Sequence, residues 1–187
     1  MGHVNRKEND IGIPHRRSIR LKDYDYAGAG AYFITVCTLY RECLFGDVLN
    51  GEMRLNRFGL AVREEWLRTS EMRQGVETDA FVVMPNHVHG VILITDGAGT
   101  ARRAPTDERF GIPVCGSVPT LVRALKSAWT RRINQARNTP GALVWQRNFH
   151  EHVIRGENEL DRLRQYITDN PGRWEEDDNH PTRLKQA

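Results

Sequence analysis

Two histidines stand one residue apart in "MPNHVHGVILI" (84–94), at the head of an apolar run. Side chains i and i+2 of a strand share a face. His87 and His89 therefore point together, while Val88 faces the opposite layer. Two imidazoles on one face can ligate one divalent ion. A structural zinc site wants four ligands. An open pair completed by an oxygen ligand and water instead suits a catalytic Mg²⁺ or Mn²⁺ that binds substrate phosphate. The plainer reading is two polar residues at a strand edge, meeting water. A second pair, His150 and His152 in "FHEHVIR" (149–155), has the same spacing, and spacing alone does not choose between them.

A third feature lies near the C-terminus. Leu160, Leu163 and Ile167 recur at helical spacing. Tyr166 sits beside that stripe, and Asn170 follows at i+4, on the same face. A tyrosine can attack a phosphodiester and store its energy as a phosphotyrosine. A carboxamide oxygen one turn away can complete a metal site. The alternative is a half-buried tyrosine and an asparagine that ends a helix before Pro171.

The bulk numbers frame these options. At 187 residues, 39% apolar and 27% charged, the chain has the makings of one globular domain. No apolar run reaches the roughly 18–20 residues of a spanning helix. The opening "MGHVNRKEND" lacks the apolar core of a signal peptide. A cytoplasmic location is expected, next to the nucleoid if the partner is DNA. Cys37, Cys43 and Cys115 form no C-x-x-C pair, which argues against a zinc ribbon or a disulfide framework. The net charge is only +3, but Arg123, Lys126, Arg131, Arg132 and Arg137 fall in one stretch with no acidic residue. Such a helix suits a polyanion, or is simply a solvated face. After Trp174 come Glu175, Glu176, Asp177 and Asp178.

These residues need elements to position them. "AYFITVCTLY" (31–40) reads as a first strand. Residues 45–56 carry Asn50-Gly51 between short apolar stretches, a hairpin with a type I′ turn. Helical spacing runs from 57 to about 70. Residues 78–85 and 87–95 read as two strands of an antiparallel hairpin around Pro85-Asn86, which would put the histidine pair at a sheet edge open to solvent. A long Gly- and Pro-rich loop spans 96–117. Ser117 can cap a helix with Pro119 in its first turn, running to about 136. Residues 144–155 read as the last strand and 157–170 as a terminal helix. The core order, β-α-β-β-α-β, predicts an α+β fold. It is the ferredoxin-like, split β-α-β antiparallel sheet, with helices on one face plus a terminal helix carrying the tyrosine. The domain is expected over 29–176, after a polar arm (1–28) and before a polar tail (177–187).

"AYFITVCT", "FVVMPNHVHGVILI", "VWQRNFHEHVIR" and "YITDNP", in this order, resemble the successive motifs of REP-associated tyrosine transposases. These belong to the single-tyrosine HUH superfamily, named for two histidines flanking a hydrophobic residue. The resemblance covers about residues 29–176. It implies a metal-dependent endonuclease and strand transferase acting on single-stranded DNA, with Mg²⁺ or Mn²⁺ as cofactor. It matches the metal-binding histidines to His87 and His89, the nucleophile to Tyr166 and a third metal ligand to Asn170. A 5′-phosphotyrosine and a free 3′-hydroxyl would result from cleavage. It also separates the two histidine pairs. His152 has a counterpart in the motif, whereas an aromatic residue is usual at position 150, so His150 departs from the pattern and receives no metal role.

The same resemblance implies hairpins of repeated extragenic palindromes as the partner. Arg123, Lys126, Arg131 and Arg132 then become candidates for phosphate contacts. Arg147, His152 and Arg155 are read as DNA or structural contacts, and Trp129 as core. Arg16, Arg17, Arg20 and Lys22 of the arm are further DNA candidates. A monomer or a homodimer fits. Two alternatives remain: a catalytically silent, domesticated protein that binds hairpins and regulates, and an RNA-binding module, which needs exposed stacking aromatics; Phe33 and Phe81 could serve, but both sit in apolar strands and read as core.

Overall fold

The computed structural model describes residues 28–95 and 116–183. The expected arm up to residue 27, the loop over 96–115 and the chain after 183 lie outside the described residues. In chain order the elements are β1 (Gly30–Cys37), β2 (Gly46–Leu49), β3 (Glu52–Leu55), α1 (Arg57–Leu67), α2 (Thr69–Met72), β4 (Val76–Val83), β5 (His87–Ile94), α3 (Val118–Arg137), β6 (His150–Ile154) and α4 (Glu157–Asp169). A four-stranded sheet has the order β4-β5-β1-β6, with every neighbouring pair antiparallel. β5 is inserted between β1 and β4, and β1 between β5 and β6. This interleaving of two β-α-β units is the expected α+β architecture.

β2 and β3 form a separate hairpin. Its turn is left-handed at both Asn50 (φ 54°) and Gly51 (φ 76°), as a type I′ turn demands.

The sheet's two faces do different work. On one, Tyr32, Ile34, Val36, Val88 and Ile92 pack against Val62 and Trp66 of α1 and Leu121, Leu125, Trp129 and Ile133 of α3. Trp66 and Trp129 stack with centroids 6.5 Å apart, and both are fully buried. The Trp129 indole N–H donates to the Val62 carbonyl at 3.1 Å, so this ring belongs to the core. Gly90 is required here. A Cβ at that position would lie 2.3 Å from the Trp66 ring, so only glycine lets α1 sit this close to β5. On the other face, Phe33, Val91 and Ile154 pack against Leu160 and Ile167 of α4.

Three local expectations change. The last strand covers only His150–Ile154; Trp145 meets the sheet through one isolated bridge to Thr38. α1 stops at Leu67, and the short α2 follows it. Ser117 occupies the cap position of α3, but its hydroxyl donates to Thr120 Oγ1 at 3.2 Å instead of capping the backbone. Phe33 and Phe81 follow their expected core reading: Phe33 is 7% exposed and Phe81 stacks on Trp66, so neither is free to stack on a nucleobase. No helix among the described residues is long and apolar enough to cross a membrane.

Candidate metal and nucleophile site

β5 is a central strand, which corrects the expectation of a solvent-open edge: His87 is 0% exposed and His89 3%. Register places Cys37 opposite His87 and Thr35 opposite His89. The turn before β5 is covered as well. Its Asn86 is fully buried and donates from Nδ2 to the carbonyls of Arg41 (3.0 Å) and Asn179 (2.8 Å).

Those two bonds fix the amide's orientation, and the orientation fixes a tautomer. Asn86 Oδ1 faces His87 Nδ1 at 2.9 Å, and a carbonyl oxygen can only accept. His87 Nδ1 therefore carries the proton, and its Nε2 presents a lone pair. His87 Nε2 lies 3.0 Å from His89 Nε2. On its far side, His89 Nδ1 meets Thr35 Oγ1 at 2.8 Å, and a hydroxyl can donate or accept. With Thr35 donating, His89 Nε2–H bonds to His87. With Thr35 accepting, both lone pairs converge, which is favourable only around a cation. Oxygen partners behind each imidazole are the usual support of metal-bound histidines.

The wider set fits a divalent ion. Two ligand atoms about 2.1 Å from one ion at right angles lie about 3.0 Å apart, which is the Nε2–Nε2 separation. Asp177 Oδ2 is 3.8 Å from His87 Nε2, and ligand atoms of His87, His89 and Asp177 all fall within 4.8 Å of one another. Asn170 is 2% exposed; its Nδ2 donates to Asp177 Oδ2 at 3.4 Å, while its buried Oδ1 finds no donor among the described residues. An oxygen acceptor in that position suits a cation.

Electrostatics agrees with this chemistry. Burial, then the Arg41 charge, pushes the His87 imidazole down to about 3, opposed by the neighbouring Asn170 side chain. Burial, then His87, holds His89 well below the ordinary histidine value. Both rings are neutral at pH 7. The Asp177–His87 approach is thus no ion pair but an arrangement of potential ligands.

α4 brings the phenol. Glu157 and Glu159 in its first turn suit the positive end of the helix. Leu160 and Ile167 anchor it on the sheet, and Tyr166 is left 41% exposed. The Tyr166 hydroxyl lies 3.4 Å from His89 Nε2, and its ring meets the edge of Phe33 at 6.1 Å. Phe33 stacks on His89 from below, with centroids 5.2 Å apart. Burial, then the Asp177 charge, raises the Tyr166 phenol above its ordinary value. Pro171 ends α4 and opens a 3₁₀ turn (Pro171–Glu176), whose buried Trp174 turns Asp177 inward.

The structure thus brings His87, His89, Tyr166 and Asn170 together. Sequence reasoning missed Asp177, Thr35 and Asn86. The signal for Asp177 was Trp174 three residues earlier, since i and i+3 share a side of a 3₁₀ turn.

The remaining candidates lie elsewhere. His150 sits on the same face as His89, one strand beyond Thr35, and is outside the ligand group. His152 bonds to Glu159 at 2.9 Å, and Glu159 also accepts the Arg155 backbone N–H, tying β6 to the start of α4. Lys126 donates to the carbonyls of Gln146 and Asn148. Arg132 pairs with Glu64 and Glu65. Arg123, Arg131, Arg147 and Arg155 are exposed.

No protein-family model matches the chain. Among solved structures, a REP-associated tyrosine transposase bound to a REP hairpin is similar at a TM-score of 0.47 and 21% identity, over 76% of this chain and 67% of that one. A candidate transposase from Deinococcus radiodurans is similar at a TM-score of 0.44 and 20% identity, over 76% of this chain and 91% of that one. An uncharacterized protein of Haemophilus influenzae is 40% identical over 175 residues, 90% of this chain and 94% of its own length. With that identity sustained over nearly the whole of both proteins, the chain belongs to the family of the Haemophilus influenzae protein.

Proposed function

We propose that the protein is a transposase-like, metal-dependent endonuclease and strand transferase acting on single-stranded DNA at palindromic hairpins. The observation that carries the reading is the Tyr166 hydroxyl at 3.4 Å from His89 Nε2, which itself lies 3.0 Å from His87 Nε2. A nucleophile and an open ligand pair are adjacent. His87, His89 and Asn170 would hold Mg²⁺ or Mn²⁺, with the Asp177 carboxylate beside them. The ion's chemistry would be Lewis-acid polarisation of a phosphate oxygen.

The chain's own residues do the rest. Asn86 and Thr35 orient the two imidazoles. α4 holds the Tyr166 oxygen for attack. The phenol loses its proton to water, and its oxygen bonds to phosphorus. The P–O3′ bond breaks, and the departing 3′-oxygen takes up a proton, leaving a 5′-phosphotyrosine. Attack by another 3′-hydroxyl runs the step backwards and joins strands. Arg123, Arg131, Arg147 and Arg155 are available for phosphates. A DNA partner would place the protein at the nucleoid.

The test is covalent capture. A single-stranded hairpin oligonucleotide with Mn²⁺ should give a protein–DNA adduct that Tyr166→Phe abolishes and His87→Ala strongly reduces. An adduct that survives Tyr166→Phe rejects the nucleophile. A second reading, a hairpin-binding regulator without cleavage, draws on one observation: His87 exposes no surface. It expects binding with no adduct, indifferent to both substitutions.

A further inference from the structure

A free thiol stands beside the ligand pair, and the proposed reaction makes no use of it. Cys37 is the β1 register partner of His87, so the two side chains leave the same face of the sheet. The α carbons of such partners lie about 4.5–5.5 Å apart. Thr35, two residues back on the same strand and face, already meets His89 Nδ1. Cys37 Sγ donates to Asn179 Oδ1 at 3.6 Å. Asn179 in turn donates its backbone N–H to Asp177 Oδ1 at 2.6 Å. The other oxygen of that carboxylate, Oδ2, is the one 3.8 Å from His87 Nε2. One residue thus joins the thiol to the carboxylate of the ligand group.

Two imidazoles, a carboxylate and a thiol make a mixed set. Mg²⁺ and Mn²⁺ suit oxygen and imidazole ligands and pass over sulfur, whereas Zn²⁺ and Co²⁺ also accept a thiolate. Three protein ligands around zinc leave one tetrahedral position open, and a fourth closes it. A cation is indicated here independently of the thiol: Asn170 Oδ1 is buried and meets no donor among the described residues. The closed set asks for small movements. Cys37 lies outside the group of ligand atoms that fall within 4.8 Å of one another, so it must turn about χ1 to join them. The two Nε2 atoms, now 3.0 Å apart, would part to about 3.3 Å around a tetrahedral ion.

We propose that Cys37 is a further ligand of this centre for thiophilic ions, and that Zn²⁺ held by His87, His89, Asp177 and Cys37 closes the site to the substrate phosphate. Cys37 gives its proton to water as the ion binds, and the thiolate becomes the fourth ligand. The charged Asp177 takes the place that Asn170 holds in the open Mn²⁺ form. Zinc outbinds manganese at almost any nitrogen and oxygen site; what Cys37 adds is a wider gap between the two ions and the loss of the open position. The inference rests on the reading of the chain as a metal-dependent DNA enzyme.

The experiment separates the two. Co²⁺, a coloured stand-in for zinc, is titrated into the full-length protein freed of metal. A thiolate-to-cobalt charge-transfer band should appear in the near ultraviolet. Cys37→Ser and Cys37→Ala should each abolish it, while Cys43→Ala and Cys115→Ala keep it. Competition with a chromophoric chelator should show Zn²⁺ affinity at least about tenfold lower in both Cys37 variants, since a lost ligand costs no less than a lost supporting bond. Their Mn²⁺ affinity should match the parent. Cys37→Ser retains a donor for Asn179, so its metal-free thermal midpoint should stay near the parent value. His87→Ala should weaken both ions. Zn²⁺ should suppress adduct formation in Mn²⁺, and Cys37→Ala should need about tenfold more zinc for the same suppression. If Co²⁺ binds the parent without a thiolate band, or the band survives in both Cys37 variants, the fourth ligand is overturned and the proposed function stands. Equal losses of Zn²⁺ and Mn²⁺ affinity in Cys37→Ser would also overturn it, because the thiol would then support the site without selecting its ion. If the parent binds neither Mn²⁺ nor Co²⁺, both fall.

Discussion

Arg164 of α4 grips Asp79 of β4 across the sheet surface: Nη2 lies 2.6 Å from Oδ2, and Nε lies 3.2 Å from Oδ1. A fork-on-carboxylate pair fixes orientation as well as contact. It sits two residues before Tyr166, so it sets the azimuth of the helix that presents the phenol.

Asp79→Ala should therefore damage chemistry more than folding. Leu160 and Ile167 still anchor α4, but its rotation is freed. A displacement of about 1 Å at a nucleophile costs up to roughly a hundredfold. Adduct formation should slow by about ten- to a hundredfold while hairpin affinity holds. The Arg164 hydrogen bonds keep the Asp79 carboxyl below its ordinary value, against the opposing effect of burial. A depressed carboxyl stabilises the fold above the ordinary range near pH 4, and that contribution fades as pH falls through the lower folded value. The docking of α4 should thus be insensitive to pH between about 5 and 8. Equal adduct rates in Asp79→Ala and the parent would reject this role.

The buried histidines act in the same direction, at higher pH. His87 is pushed down to about 3 and His89 is also lowered, while both return to about 6.5 in the unfolded chain. Below that value the unfolded state takes up protons that the folded state refuses. Stability falls with pH, by up to about 1.4 kcal/mol per pH unit for each histidine. Urea titrations at pH 7.5 and pH 5 should show the loss. Mn²⁺, bound only by the neutral pair, should offset it in proportion to its occupancy. No change between the two pH values would contradict the neutral, buried pair.

Thr35→Val keeps the shape of the β1 side chain and removes the hydroxyl 2.8 Å from His89 Nδ1. Loss of such a support costs about ten- to a hundredfold in metal affinity. Titration calorimetry with Mn²⁺ should show that loss, with the urea midpoint little changed. Unaltered Mn²⁺ affinity would mean Thr35 does not orient the ring.

How much of this was legible in the sequence depends on the range of the cause. The two-residue repeat put His87 and His89 on one face, and the i, i+4 relation put Tyr166 beside Asn170; both are local rules, and the structure follows them. Burial of the pair was not legible. Pro85-Asn86 has the composition of an exposed hairpin tip, yet Asn86 is covered by Arg41 and Asn179, contacts made across 45 and 93 residues. Asp177 was hidden in another way. It stands among Glu175, Glu176 and Asp178, a run that reads as solvated. Only the burial of Trp174 decides which acid faces inward. The left-handed turn at Tyr40 (φ 56°) and Arg41 (φ 55°) carried no signal, because nothing in "CTLYREC" announces two successive residues of that kind.

Gly90→Ala tests the packing that sets β5 from behind. The added methyl would lie 2.3 Å from the rigid Trp66 ring, which Trp129 backs. Overpacking of this kind costs about 1–3 kcal/mol, and it should lower the urea midpoint accordingly. Trp66→Phe in the same chain opens space and should recover part of the loss, giving a favourable coupling of about 0.5 kcal/mol or more. Strictly additive effects would show that the two residues do not meet.

Asp177→Ala should move two observables at once. The carboxylate lies within ligand distance of both histidines, so its loss should weaken Mn²⁺ binding by at least about tenfold, no less than the loss of a supporting hydrogen bond. The same carboxylate is the second cause, after burial, that raises the Tyr166 phenol. Without it the phenolate forms more readily in the metal-free protein. The alkaline absorbance titration, taken as the difference between each protein and its Tyr166→Phe counterpart, should shift to lower pH. A weaker ion site and a more acidic phenol together identify one charge acting on both groups. If Mn²⁺ affinity falls while the phenol titration stays fixed, Asp177 belongs to the metal site alone and Tyr166 lies beyond its reach.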